Sequence, residues 1–418
     1  MSSSKLVEKQ DQSHRRRNDT NQSAESAKSA DVGEQAFLAI FEDVLVDQPV
    51  PIEFDGSIDR AHMRAIWTWL VRDVDPEIQQ TLAGIGDINE AKKSLRALFP
   101  TILANARDTV AAASAEPEAD RRLTGQLGGE DVRRRISVVF NALRCQALLP
   151  KAVAFGKASN SLTDEAALGT ALQSMPLKET GVAALLLHSV IGQSANPSRV
   201  VSSIGQIAGG STEVVIIAAG FGPVIDGVLA HAQNQISKLA DQNGLFADGD
   251  LMCKAVSRFH KLIRAITGYV ELERGSRWSK ATSEITKKMA ERIEPRLREI
   301  SADVSRSLRK PREGADRVDA DRLLAALNGI YLLSAVRNAR ESMALNALFD
   351  QIWGETGKSL EILVARNMEL FKQDPTDENT AQRLDMGIKM AEVRFNAEYA
   401  EILRKARDSV SRRIENAN

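Results

Sequence analysis

At 418 residues the chain exceeds the size at which one hydrophobic core stops growing, so two domains or one elongated helical array are expected. Its 55 basic and 56 acidic side chains leave a net charge of -1, which excludes the marked basic excess of a global nucleic-acid or membrane footprint. Cys145 and Cys253, the two cysteines, are too far apart in sequence for a disulfide framework or a zinc site, and a reducing cytoplasmic location is expected. Aromatic residues make up 5% of the chain, and Ala, Leu, Arg, Glu and Ile dominate. Straight-chain residues and Ala lose little rotamer freedom in helices, so the expected class is all-α: a multi-helix bundle or an irregular α-solenoid.

Residues 1–33 read as a disordered tail, because apolar residues are too few to offset the entropy of ordering. Arg15, Arg16 and Arg17 are its one charge cluster. No apolar run follows that would make a secretory signal. Residues 34–243 are expected to form an N-terminal helical domain. Its first helix carries Phe37, Leu38, Ile40, Phe41, Val44 and Leu45, and the Pro49 and Pro51 breaks end it. Ser57 or Asp59 caps a helix bearing Met63, Ile66 and Trp67. Helices are predicted over 88–99 and 101–115, a polar loop over 116–130, and a helix over 131–149. Arg133, Arg134 and Arg135 open that last helix, but consecutive residues point about 100° apart, so the triplet is solvated charge and not a stripe.

The two most apolar runs, 182–191 and 214–225, lie within 181–239, with Gly205, Gly209, Gly210 and small neighbours between them. Apolar area drives burial, and small residues let other backbones approach, so this stretch reads as the central layer. Neither run reaches the ~18 residues of a spanning helix. A loop near 244–250 marks the expected boundary of a C-terminal helical domain, 250–418. There Val256, Phe259, Leu262, Ile263 and Ile266 keep helical spacing. A long helix over 282–308 carries Ile285, Met289, Ile293, Leu297, Ile300, Val304 and Leu308 on one face, with a kink expected at Pro295. A helix from Asp319 or Ala320 is predicted to run on to Trp353, and one amphipathic helix over 382–414 to close the chain.

Chemistry-bearing patterns are weak. Gly354-Glu355-Thr356-Gly357-Lys358-Ser359 lacks the first glycine and the strand of a phosphate loop; a helix C-cap followed by a new start accounts for it better. Gly220, Gly222 and Gly227 lack the spacing of a dinucleotide fingerprint and read as close helix packing. No histidine pair has metal-ligand spacing, and Asp316, Asp319 and Asp321 lack the glycine and glutamate of a calcium loop. No metal and no cofactor is expected, and His188, Asp226 and His231 are the whole catalytic shortlist. The densest basic region includes Lys287, Lys288, Arg292, Arg296, Arg309 and Lys310, interleaved with acids. These residues, with Arg15, Arg16 and Arg17, form the candidate interaction surface.

The expected function is a non-enzymatic cytoplasmic helical scaffold or adaptor that binds other proteins. A homo-oligomer is compatible with it, and no transmembrane segment is expected. The alternatives are a nucleic-acid-associated protein using the basic surface 287–312, which is not favoured, and a membrane-active protein inserting 182–191 and 214–225.

Overall fold

The computed structural model describes residues 32–48, 52, 54–239, 247–310 and 317–415. Among them the chain is all-α, with eighteen helices and one pair of two-residue parallel strands. It divides into two compact units, Met1–Ala230 and His231–Asn418. The tail expected over 1–33 lies outside the described residues up to residue 31.

The first unit begins with α1 (32–40) and a 3-10 turn at Glu42–Val44. Strand β1 (Leu45–Val46) pairs with β2 (Ile58–Asp59), Leu45 opposite Ile58. Helices α2 (Arg60–Trp69), α3 (Glu77–Leu82), α4 (Ile88–Ser114), α5 (Pro117–Leu127), α6 (Glu130–Cys145) and α7 (Leu149–Ala158) follow. After them come α8 (Glu165–Gln173), α9 (Thr180–Gln193), α10 (Pro197–Ala208), α11 (Glu213–Ala218) and α12 (Gly222–Ser237), within which the division between the units falls. Asp59 starts α2 by accepting from the N–H groups of Ala61 and His62. Arg60 then donates to Glu42 and to Asp47, each at 2.8 Å, fastening the 3-10 turn and the strand pair to α2. Beneath them Phe37, Phe41, Trp67 and Phe99 pack ring against ring, with centroids 4.8 to 6.1 Å apart.

Helix α9 is the apolar centre. Every residue from Val182 to Ile191 is buried, so no face is left to water. Six large aliphatic side chains lie in that run; burying each contributes about 1.5–3 kcal/mol, an upper range because unfolded chains already hide some surface. Close cover comes from glycine. A methyl built on Gly156 of α7 would sit 2.6 Å from the Val190 carbonyl oxygen. One on Gly56 would sit 2.4 Å from the Ala184 carbonyl oxygen. Gly227 of α12 lies against the His188 backbone, a methyl there meeting Cα at 3.5 Å. The loop that carries Gly56 is held by Arg135 of α6, which pairs with Asp55 at 2.9 Å and donates to the Phe54 and Ser57 carbonyls. Arg133 pairs with Asp120 and Arg134 with Asp131, so the arginine triplet is divided among three partners.

The second unit contains α13 (Gly249–Tyr269), α14 (Arg277–Leu308), α15 (Ala320–Ala339), a 3-10 turn at Arg340–Met343, α16 (Asn346–Gln373), α17 (Glu378–Arg394) and α18 (Ala397–Glu415). Helix α15 lies against α13, α14 and α17, and α16 against α14 and α17; α18 packs on α17. The apolar face of α14 is buried from Trp278 to Leu308. Arg404 pairs with Glu392 and Arg407 with Asp385, holding α18 to α17 by charge as well as by apolar contact.

Several local expectations are corrected. Residues 88–114 form one helix through Pro100, although proline there removes a backbone bond at a cost of about 3 kcal/mol. Phe99, Ile102 and Leu103, buried on either side, keep both halves on the core. The polar stretch 116–130 is mostly α5: Pro117 sits in its first turn, where no N–H is needed, and Gly128 caps it at φ 90°. The helix from Ala320 stops at Ala339, followed by the 3-10 turn and by Ala344 at φ 53°. The closing helix is two helices, because the Asn396 side chain accepts from the Tyr399 N–H and starts α18 anew. Gly354–Ser359 lies inside α16, neither a cap nor a start. The second apolar run is broken by Gly220 at φ 84°, leaving Val214 and Ile217 of α11 exposed.

Two glycine substitutions should move stability in opposite directions. Gly156→Ala forces a methyl into the α7–α9 contact and is expected to cost about 1–3 kcal/mol. Gly125→Ala, exposed in α5 with nothing near the added methyl, is expected to gain about 0.5–1 kcal/mol. Urea unfolding of both variants checks the pair; equal midpoints would contradict the close-contact account of α9.

Candidate interaction site

The basic candidates are spread along the chain, and those in ion pairs are answered one by one. Arg15, Arg16 and Arg17 lie outside the described residues. Along α14 most cations are answered locally: Lys287 by Glu291 at 3.8 Å, Lys288 by Glu284 at 2.7 Å and Arg298 by Glu294 at 2.6 Å. Arg296 is turned inward, with 11% of its side chain exposed; it pairs with Asp303 at 2.6 Å and donates to the Ala325 carbonyl of α15. Lys310 reaches Asp377 at 3.7 Å. Arg292 and Arg309 are exposed. Exposed pairs of this kind contribute about 0–1 kcal/mol each, and a cation already paired offers a phosphate backbone less.

The catalytic shortlist is largely interior. His188 is 1% exposed, 5.9 Å from the Phe54 ring, and Asp226 is 6% exposed. Among the described residues no group of three His, Cys, Asp or Glu side chains could hold a metal ion. Burial pushes the thiols of Cys145 and Cys253 up to about 11, which leaves them protonated and unreactive at neutral pH. No single described helix is long and apolar enough to cross a membrane; α6 and α7 together reach that length only across a 77° bend.

A histidine outside the catalytic shortlist bonds a serine. His260 Nδ1 of α13 lies 2.9 Å from Ser342 Oγ in the 3-10 turn. Ser342 is buried and Ala344, two residues on, holds a left-handed backbone. Burial first, then the charge of Arg264, pulls the His260 pKa below its ordinary value, with Glu341 opposing. With the serine 5% exposed, this pair is a clasp between α13 and the α15–α16 connection and not an accessible nucleophile.

The concentration of recognition chemistry lies elsewhere in the second unit, where the C-terminal ends of α15 and α17 meet the N-terminal parts of α16 and α18. Trp353 of α16 stacks on Phe349 at 5.3 Å. The Arg394 guanidinium carbon lies 3.5 Å from the Trp353 ring centroid, and that of Arg337 lies 5.0 Å away. Arg340 sits 5.3 Å over Phe349 and pairs with Asp350 at 2.7 Å. Arg394 continues the series to Phe395 at 5.0 Å, and Phe395 meets Tyr399 edge-on at 5.1 Å. A desolvated cation over indole is worth about 2 kcal/mol, so the stack is a fixed element. Arg394 is 8% exposed and donates Nη2 to the Trp353 carbonyl oxygen at 2.5 Å. Its seat exists because position 357 is glycine: a methyl there would lie 2.7 Å from Nη2. Burial, followed by the nearby charge of Arg337, pulls the Arg394 pKa down to about 10. It remains a cation at neutral pH.

The members of this cluster are dispersed over 63 positions, from Arg337 to Tyr399, and no spacing rule joins them in the sequence. One local signal was present: Trp353 and Gly357 are one helical turn apart and share a face.

Because His260 has a lowered folded pKa, its neutral form supplies stability above the ordinary value of 6.5 that is lost as pH falls through the lowered one. The denaturation midpoint of the wild type should therefore fall between pH 8 and pH 5 more than that of His260→Gln; parallel profiles would remove the clasp. Compared with protein-family models, with curated proteins and with solved structures, the chain matches none.

Proposed function

We propose that the chain is a non-enzymatic cytoplasmic scaffold or adaptor that binds other proteins through the arginine–aromatic end of its second unit. The observation that supports the reading is the stack Arg337–Trp353–Arg394–Phe395–Tyr399. Trp, Tyr and Arg are the residues in which binding energy concentrates at protein interfaces, and Arg337 is exposed while Trp353, Phe395 and Tyr399 are each half-buried. Such rings are already ordered before a partner arrives, so little side-chain entropy remains to be lost. The paired charges on α14 weigh against nucleic acid, which would need them free.

Crosslinking capture from native extract tests the proposal. Wild type and Leu148→Ala, altered at an exposed residue of the first unit, should recover the same partner. Trp353→Ala, with unchanged helical circular dichroism, should lose at least about 2 kcal/mol of affinity for it. Equal capture by all three proteins would refute this assignment of the surface.

A further inference from the structure

Arg337 and Arg394 share one indole and, among the described residues, no ion pair. Neighbouring arginines are answered: Arg340 by Asp350 at 2.7 Å, Arg407 by Asp385 at 2.6 Å and Arg404 by Glu392. Neither Arg337 nor Arg394 forms an ion pair with a described carboxylate, and the one acid whose field reaches Arg394 is Glu361, which is exposed. Arg394 cannot turn to water. It is held by the Trp353 carbonyl, by the ring and by the space above Gly357, and its Nε is buried without an acceptor. Arg337 is exposed, its guanidinium carbon 5.0 Å from the same ring. The helix surface next to Trp353 is bare, since a methyl on Gly354 would touch nothing.

Like charges brought together in partly desolvated surroundings repel, and that repulsion is relieved when an anion enters. We propose that Arg337 and Arg394 form a carboxylate-binding site that takes an Asp or Glu side chain from an acidic segment of a partner protein. A guanidinium fork matches the two oxygens of a planar carboxylate. Arg337 supplies the reach, Arg394 the fixed charge, and Trp353 a flat apolar wall. The proposal deepens the protein-binding reading of the same stack and relies on it only for the identity of the carrier.

The test is a titration of the full-length protein with N-acetylated hexaglutamate, hexaglutamine and inorganic phosphate, followed by indole fluorescence and the thermal midpoint. Hexaglutamate should bind, more weakly as salt is raised, and hexaglutamine should not. Arg337→Gln, an exposed change, should weaken hexaglutamate roughly tenfold with the circular dichroism of the free protein unaltered. Gly357→Ala, which displaces the Arg394 guanidinium, should weaken it as well. Hexaglutamate binding no tighter than hexaglutamine, undiminished in Arg337→Gln, or matched by phosphate would overturn the proposal. Partner capture separates the two readings. A partner held equally by wild type and Arg337→Gln removes the carboxylate site and leaves the scaffold. Hexaglutamate binding that depends on Arg337, with no partner captured, upholds the site and removes the scaffold.

Discussion

The first unit depends on one constraint: α9 is apolar all the way round and therefore has to be covered all the way round. An ordinary amphipathic helix needs one covering surface. The run Val182–Ile191 needs several, and interiors packed at crystal-like density leave no room for a loose fit. Gly156, Gly56 and Gly227 meet that need by letting three other backbones come within contact distance of α9. The surface charges serve the same end at one remove. Arg135 holds the loop that carries Gly56, and Arg60 ties the strand pair and the 3-10 turn to α2. Their worth lies less in Coulomb energy than in where they hold the backbone.

What was legible in the sequence follows from the range of each signal. Burial of Phe37, Phe41, Met63, Ile66 and the α14 stripe could be read from spacing, because one periodic pattern contains the information. The identity of the most buried stretch could be read from composition alone. The failures were at boundaries. The two helices predicted over 88–99 and 101–115 are one through Pro100, since the apolar residues on either side face the same core. Asn396 starts a helix inside an apolar pattern that continues past it, so periodicity does not reveal it. In 116–130 polarity points to a loop, while Pro117 and Gly128 are the start and stop signals of a helix. The site was not legible: Trp353, Arg337 and Arg394 come from three helices, and only tertiary packing places two guanidinium groups on one ring.

Charge is used in two ways in the second unit. On α14 it is dispersed, and most cations sit against a neighbouring acid. Around Trp353 it is concentrated, and Arg394 is held there by π-contact, a carbonyl and the absence of a side chain at position 357. Counting residues ranks the first region higher; geometry reverses the order, because a charge already paired has little left to offer a ligand.

The encasement of α9 also sets an order of events during biosynthesis. Ile191 leaves the ribosome about 36 residues before Gly227, so the most apolar helix of the chain waits for its last covering backbone. At 5–20 residues per second that interval is roughly 2–7 s, far longer than a helix or a local collapse takes to form. During it, part of an all-apolar surface has nothing of its own chain to rest against. Until then the helix is the kind of exposed apolar surface that aggregates most readily; afterwards it is a core element.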